Sequence, residues 1–518
     1  MHMTSIRSFK SKGRVYYGVV KTFRRDGKVR QMLVHYIGNG EKLSQFLEEG
    51  SRAADFLGPD LQNLLYQTPV TLWNLMGQMG LGPIFGKHLS KKWGVDATIA
   101  AQVMILNYAT DRYTKNTLSD WYEQTWLPHM LGVPANKMNK DMLCRTMDLF
   151  TEEKIREIQA EIYKEVSGKF KLSEDILFYD ITDVTFEGDS CPIAKHGYNS
   201  RHTYLPQVKL AMAVTAELFP VCHEVFDGNT KDSKTLEKSI AMVERAGIVQ
   251  KTVFIFDRGI CSNSNFELIE SKGAQFICGF TKNSKIKTSI AALKADAFSK
   301  IDEDISFHET EKDGRRLIFF SSKKLQEEQS VFRQKRIKKI EEKLSKLSKT
   351  ASRYSLERLH ERIGAICGSY RKFFDVETKH AFSFKIKQEV LDKVMAVEGR
   401  YAILTNTSLE PKEVLARYRE RNFIEMGFKD LKMFVDVRPV RHWKEQRVLA
   451  HLFLAVQAFG LRSLAQLKLR RAGLQMTATD AIHRMDKVRA LVAGGKVLRL
   501  TGECEEVRKI VSAIETVC

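Results

Sequence analysis

The sequence lacks the patterns that mark several common protein classes. Its eight cysteines form no C-x-x-C pair and no cysteine–histidine cluster with zinc-site spacing. Scattered thiols of this kind are typical of a reducing compartment. No signal peptide is visible, since residues 5–18 are basic and aromatic without an apolar run. Internal repeats and long low-complexity tracts are also absent, so the chain does not look like a zinc module, a secreted protein or a repeat array.

Long hydrophobic runs are scarce as well. The most apolar stretch, residues 448–461, is too short to cross a bilayer and runs into Arg462. We therefore expect a soluble, cytoplasmic protein without a membrane partner.

Acidic side chains are too few to balance the basic ones. The 518 residues include 83 Lys and Arg but only 63 Asp and Glu, which gives a formal net charge of +20. A folded chain this basic usually meets a polyanion, although solubility alone would also explain the charge. The chain is too long for one ordinary domain, and its 43% hydrophobic content is enough for a sizeable core.

The N-terminal third divides into two patterns. Residues 15–37 alternate as a basic β-hairpin that turns at Asp26-Gly27, and this ribbon suits either a phosphate backbone or a solvated face. From about 41 to 168, apolar residues recur at helical spacing. A helical module here is either a reader of DNA ends or a structural layer.

The middle of the chain alternates short apolar strands with helices. Strands are predicted over 176–181, 207–214, 220–226, 252–257 and 274–279, and helices over 233–246 and 263–271. The order β-β-β-α-β-α-β is typical of an α/β fold with an RNase H-like core, a mixed sheet with flanking helices. The helix that would complete this core begins only near Pro411. Before it lie a predicted hairpin over 305–320 and two heptad-like pieces that indicate a helical hairpin.

Two of these strands end in a carboxylate. Asp180 and Asp257 each follow an apolar run, where a charge is costly unless it is paired or bound to metal. We expect the two to lie side by side at one sheet edge. Asp183 is the competitor for the first position, and the strand-end location favours Asp180. Arg258 follows the second aspartate and would contact either a phosphate or a neighbouring acid.

A third carboxylate lies within ARYRERNFIEMGFKDLK. Tyr418, Arg421, Glu425 and Lys432 fall within about 60° of one helical face. Glu425 suits a metal ligand, while Arg421 and Lys432 suit phosphates and Tyr418 suits a phosphate or a stacked ring. The alternative is a surface helix joined by an Arg421–Glu425 pair.

Three carboxylates in this order predict a magnesium site. Two Mg²⁺ ions about 3.5–4 Å apart would activate water or a 3′-hydroxyl for in-line displacement, with Mn²⁺ as a substitute. Trp443, near the end of this region, would stack on an unpaired base or serve as a core or helix-capping residue.

The four helix residues match a Y-(2)-R-(3)-E-(6)-K signature at every position, and the chain resembles the bacterial insertion-sequence transposases of the DDE group that carry it. The segments FYDITDVTFE and IFDRG resemble the same family, and the likeness runs from about 177 to 461. It implies a catalytic, metal-binding triad of Asp180, Asp257 and Glu425. It also implies an insertion that is usually β-rich, from which the predicted helical hairpin departs.

This resemblance completes the predicted organisation. The parts are a basic β-hairpin (1–40), a helical DNA-binding module (41–170), the first part of the core (171–281), an insertion domain (282–400), the last core strand with the catalytic helix (401–440) and a C-terminal helical region (441–518). The expected partners are double-stranded DNA, both terminal inverted repeats and target, and a second copy of the chain on the paired ends. The expected location is the nucleoid-associated bacterial cytoplasm. Two alternatives are an RNase H-like nuclease that does not join strands, and a non-catalytic DNA-binding descendant, against which the intact triad argues.

Overall fold

The computed structural model describes most of the chain. The described residues are 3–11, 14–25, 28–44, 62–90, 94–111, 113–186, 191–198, 203–280, 284–378, 382–421, 442–493 and 496–516.

The N-terminal residues form a three-stranded antiparallel sheet rather than a hairpin alone. Its strands are β1 (Met3–Ser11), β2 (Arg14–Arg25) and β3 (Lys28–Gly38). The predicted hairpin is β2–β3, in which Arg25 pairs with Lys28. The additional strand β1 pairs along β2 from Met3 to Ser11.

A helical region follows, after the short strand β4 (Gln62–Leu65). Its helices are α1 (Gln67–Gln78), α2 (Leu81–His88), α3 (Ala97–Ala109), α4 (Leu118–Glu123), α5 (Leu127–Leu131), α6 (Lys140–Met147) and α7 (Glu152–Phe170). Most of the helices that we expected here from apolar periodicity are present. Leu64 and Leu65, which the same periodicity predicted to be helical, lie instead in β4, because this segment pairs with a strand near the C-terminus. Helix α6 begins after Asn139, whose side-chain oxygen accepts a hydrogen bond from the Met142 amide.

The centre of the molecule is a ten-stranded mixed sheet. Its strands are β5 (Ile176–Thr185), β6 (Lys195–Tyr198), β7 (Tyr204–Val214), β8 (Pro220–Asp227), β9 (Val253–Phe256), β10 (Gln275–Phe280), β11 (Ser299–Lys300), β12 (Ile305–Lys312), β13 (Arg315–Ser322) and β16 (Arg400–Thr405). Two short strands that precede β16, β14 (Phe374–Glu377) and β15 (Ser383–Ile386), pair only with each other in the described part of the chain. The strand order is β11-β12-β13-β16-β10-β9-β5-β7-β6, and β8 pairs with β7.

Helices cover both faces of this sheet. The remaining helices are α8 (Leu236–Arg245), α9 (Asn263–Ser271), α10 (Ser284–Ala292), α11 (Lys323–Ser348), α12 (Leu356–Cys367), α13 (Gln388–Met395), α14 (described over 411–421), α15 (Glu445–Arg471), α16 (Ala478–Met485) and α17 (Glu505–Glu515). Strands β5, β9 and β10 run parallel and are buried on both sides, which is why they read as continuous apolar runs. The predicted α/β class, a mixed sheet with flanking helices, is confirmed.

Helix α15 contributes side chains to two apolar clusters of the core. Val448 and Leu452 join one apolar cluster and Phe453 joins the other. The apolar stretch 448–461, which alone is too short to cross a bilayer, therefore lies in a helix of 27 residues. Among the described helices, this is the only one long and apolar enough to span a membrane. Because 89% of its most apolar window is buried inside the protein, we assign it to the core.

The segment between β10 and β16 contains both of its predicted features. Strands β12 and β13 turn at Asp313 and Gly314, whose φ values of 52° and 75° suit a tight hairpin turn. Strand β13 pairs with β16, so this hairpin extends the central sheet instead of forming a sheet of its own. Helices α11 and α12 pack together through a separate apolar cluster that includes Ile340, Leu344 and Ile363.

The C-terminal residues, which we expected to be helical, also contain a β-hairpin. Strands β17 (Arg489–Ala493) and β18 (Lys496–Thr501) pair with each other, and β17 pairs with β4 from the N-terminal region. Ala490 and Val492 alternate into a small apolar cluster with Leu64, a pattern too short to be recognised without its partner strand.

Candidate active site

Asp180 and Asp257 lie on neighbouring parallel strands. Tyr179 in β5 pairs with Phe256 in β9, so the residue that follows each of them is one of the two aspartates. Neighbouring strands are about 4.8 Å apart, so the register places the two aspartates side by side. The predicted adjacency is thus present in the backbone.

Asp180 does not end its strand, however. Strand β5 continues to Thr185, because β7 pairs with it along Phe178–Thr185 after β9 has ended. Beyond Tyr179, β5 therefore pairs with β7 on one edge, while its other edge, towards β9, has no strand partner among the described residues. The apolar run predicted the position of the carboxylate correctly but the end of the strand wrongly.

Strand alternation distinguishes Asp180 from Asp183. Phe178 and Val184 point into the apolar cluster beneath α14, and residues of even number in β5 share that face. Leu177 and Tyr179 point into the opposite cluster, which is the side of Asp183. In β9, Ile255 lies in the cluster beneath α14, so Asp257 shares the face of Asp180.

The Asp257 carboxylate is held by a backbone amide and by a guanidinium. Asp257 precedes a short 3₁₀ turn, Arg258–Ile260, and its Oδ1 accepts the Arg258 amide at 2.7 Å. The same oxygen is 2.8 Å from Nη1 of Arg421, which projects from α14. Asp257 is half exposed (49%) and Arg421 mostly buried (18%), so the ion pair lies at the wall of an open site.

Tyr418 packs between Arg421 and strand β10. The Arg421 guanidinium carbon lies 5.0 Å from the centre of the Tyr418 ring. The Tyr418 hydroxyl lies over Gly279, where a Cβ would be only 2.2 Å from the hydroxyl oxygen. Burial raises the pKa of Tyr418 to about 12, so the hydroxyl keeps its proton and can donate a hydrogen bond at neutral pH.

These side chains line a cavity of about 550 Å³. Four of the lining residues were singled out from the sequence: Asp257, Arg258, Tyr418 and Arg421. The others come from β10, β16 and α11, namely Gly279, Phe280, Leu325, Gln329, Arg400, Tyr401 and Ala402. The sequence did not predict this second group, because no motif marks these residues and only the folded chain brings them together.

A comparison with protein-family models gives one match. Residues 171–459, more than half of the chain, match the model described as a transposase DDE domain. The chain belongs to the DDE transposase family. The predicted resemblance is thereby confirmed at the level of the family. A search of curated proteins gave no match.

Family membership identifies a transposase-type enzyme whose substrate is DNA. The matched region begins before β5 and ends within α15, so it includes both aspartates, the cavity and α14. Glu425 and Lys432 also fall inside the match, but both lie outside the described residues. Their roles stay predictions.

Trp443 does not line the cavity. Its side chain is 70% exposed and is not among the residues that line the site. The core alternative for Trp443 is therefore wrong. Its neighbour His442 is the buried residue of the pair, at 5% exposure.

The described part of the site fits a hard cation only incompletely. Carboxylate oxygens are the ligands that Mg²⁺ prefers, and Asp180 and Asp257 supply two carboxylates on one face. Within the described residues no three His, Cys, Asp or Glu side chains form a group that could hold a metal. A third ligand would have to come from residues beyond 421, as Glu425 would. The Arg421 ion pair shows that a positive charge is already accommodated at Asp257.

Proposed function

We propose that this DDE transposase cuts phosphodiesters at the ends of its insertion element and joins the freed 3′-hydroxyl to target DNA. The observation that carries the proposal is the adjacency of Asp180 and Asp257 on the face covered by α14, the helix that bears Arg421. Asp257 lines the partly cationic cavity, whereas Asp180 is not among its lining residues and lies on the neighbouring strand. Within a chain of this family, such a carboxylate pair suits nucleic-acid chemistry better than a structural role.

We further propose that the core is RNase H-like. The order β8-β7-β5-β9-β10, with β5, β9 and β10 parallel, supports this assignment. In this reading residues 282–400 are an insertion domain between the first part of the core (171–281) and its last part (401–440). The segments 1–40 and 41–170 would then contact the DNA ends, and 441–518 would complete the helical layer.

The proposed metal site consists of Asp180, Asp257 and Glu425. Two Mg²⁺ ions, or Mn²⁺ in their place, would supply Lewis-acid activation of the attacking oxygen and charge neutralisation at the leaving oxygen. The three carboxylates would hold these ions on one face of the sheet. Arg421 would balance Asp257 until DNA arrives, because its guanidinium is already paired there.

The remaining proposed roles concern the DNA backbone. Arg258 and Arg421 line the cavity and can bind phosphate oxygens, and Lys432 is proposed to do the same from further along the helix. Tyr418, which also lines the cavity, would donate its hydroxyl proton in a hydrogen bond to a phosphate. Trp443, being exposed, is available to stack on an unpaired base.

Joining both ends to a target requires two active sites, so we propose a homodimer on paired element ends. The cytoplasm, at the nucleoid, is the corresponding location.

The test is a strand-transfer assay. Purified protein and Mg²⁺ are incubated with a labelled fragment that carries the gene and its flanking DNA, together with a supercoiled plasmid as target. The expected products are fragments cut at the flanking repeats and joined to the plasmid. Cutting without joining would establish the nuclease alternative, and binding without cutting the non-catalytic alternative.

A further inference from the structure

Helix α11 begins at the candidate active site and leads away from it. Leu325 and Gln329, in its first two turns, line the same cavity as Asp257, Arg258 and Arg421. The helix then continues to Ser348, 26 residues in all, which corresponds to about 39 Å of helix.

The cavity end of α11 is fixed to the central sheet. Arg333 donates two hydrogen bonds to Glu398, at 2.7 and 2.9 Å, and the two side chains are only 7% and 10% exposed. Gln329 accepts the Gly399 amide at 2.9 Å, directly before strand β16. The orientation of α11 relative to the cavity is therefore set by buried contacts.

The outer side of α11 carries a line of cations. Lys335, Lys339, Lys343 and Lys346, here called the basic stripe, are all exposed and lie within about 80° of one another around the helix. The buried residues Ile337, Ile340 and Leu344 occupy the opposite side. No ion pair joins the basic stripe to any carboxylate of the described residues. Two exposed acids share this side of the helix, Glu342 within the stripe and Glu328 two turns before Lys335.

We propose that the basic stripe is a binding surface for the phosphate backbone of duplex DNA on its way into the catalytic cavity. The stripe begins about 9 Å along the helix from Gln329, which lines the cavity with Arg258 and Arg421, and ends about 26 Å from it. Four lysines in a row match a regularly charged polyanion better than any small ligand. This inference rests on the proposed function, since it requires that the cavity accept DNA.

A simple solvated face would carry the same residues, and salt dependence separates the two. Each phosphate neutralised adds about 0.9 to the slope of log affinity against log salt. If all four lysines bind phosphates, the slope contribution is about 3.6. Between 50 and 200 mM salt this corresponds to about 150-fold in affinity.

The experiment compares three proteins on a 40-base-pair duplex of mixed sequence, without metal. They are the wild type, the stripe variant (K335Q, K339Q, K343Q, K346Q) and a charge-matched control at the C-terminus (K496Q, R499Q, R508Q, K509Q), whose four side chains are also exposed. We expect the stripe variant to lose three to four units of slope and the control to lose less than one. Equal slopes in all three proteins, or equal losses in the two variants, would overturn the proposal.

Two further measurements, thermal unfolding and DNA cleavage, separate a loss of binding from other effects. Because the stripe is exposed, its replacement should leave thermal unfolding unchanged; if it does not, the double variant K339Q/K343Q should still lose about half of the slope. Metal-free binding is independent of cleavage, so a wild type that binds with the expected slope but neither cuts nor joins DNA would refute the proposed function and not the stripe.

Discussion

Replacing Gly279 with alanine tests the packing that positions Arg421. A Cβ at Gly279 would lie 2.2 Å from the Tyr418 hydroxyl oxygen and 3.1 Å from Cζ of the ring. Ordinary contacts of this kind are longer than 3.4 Å, so the hydroxyl must move by more than 1 Å. Tyr418 is one helical turn before Arg421 on α14, and we expect its displacement to pull the guanidinium away from Asp257.

The expected cost follows from these distances. Overpacking a close-packed site typically costs about 1–3 kcal/mol. In a Tyr418→Phe background the hydroxyl is gone and the nearest atom is Cζ at 3.1 Å, which needs a shift of only a few tenths of an ångström. Most of the cost of Gly279→Ala should therefore disappear, leaving a coupling of about 1–2 kcal/mol between the two substitutions.

The assay is a double-mutant cycle. Wild type, both single variants and the double variant are compared by urea unfolding and by single-turnover DNA cleavage. Gly364→Ala serves as the matched control, because a Cβ there meets no atom within 4 Å and the helix should gain slightly. Strictly additive effects of Gly279→Ala and Tyr418→Phe in both assays would refute the packing argument.

Three other predictions concern Arg421, the Arg333 anchor of α11, and the half-buried Lys115. Arg421→Ala should slow DNA cleavage by at least tenfold with little change in the free energy of unfolding. The control Arg417→Ala, whose ion-pair partners on the same helix are half exposed, should stay within threefold of the wild-type rate, and equal rates for the two variants would show that Arg421 has no special role in cleavage. Arg333→Met should destabilise by about 3–5 kcal/mol because it leaves Glu398 buried without its partner, and a second change, Glu398→Leu, should recover most of this in thermal unfolding. Burial lowers the pKa of Lys115 from 10.5 to about 8, so between these values the unfolded chain binds more protons and stability rises with pH. Lys115→Met should abolish that rise in urea unfolding between pH 8 and 10.5, and an unchanged rise would contradict the assignment.

Periodicity and strand-end chemistry predicted much of the core from the sequence. Apolar runs located β5, β9 and β10 because strands buried on both faces must be continuously hydrophobic. The same runs placed Asp180 beside Asp257. They could not show that β5 continues past Asp180, since that extension depends on pairing with β7.

Contacts between distant segments were beyond reach of local patterns. The pairing of β4 with β17 joins residues more than 400 positions apart, and nothing in either short strand specifies the other. The contribution of Gln329 to the cavity depends on how α11 docks against β16 through Arg333 and Glu398. Glu425 and Lys432 rest on the signature alone, because they lie outside the described residues.

The most direct measurement of the central claim is single-turnover cleavage by Asp180→Asn compared with Asp183→Asn. The two carboxylates share strand β5 but point to opposite faces, and only Asp180 shares a face with Asp257. With Mg²⁺ present, Asp180→Asn, Asp257→Asn and Glu425→Gln should each lose about 10³-fold or more in rate while DNA binding is retained. Asp183→Asn should stay within about threefold of wild type. Near-normal cleavage by Asp180→Asn, or a larger loss for Asp183→Asn, would contradict the proposed catalytic site.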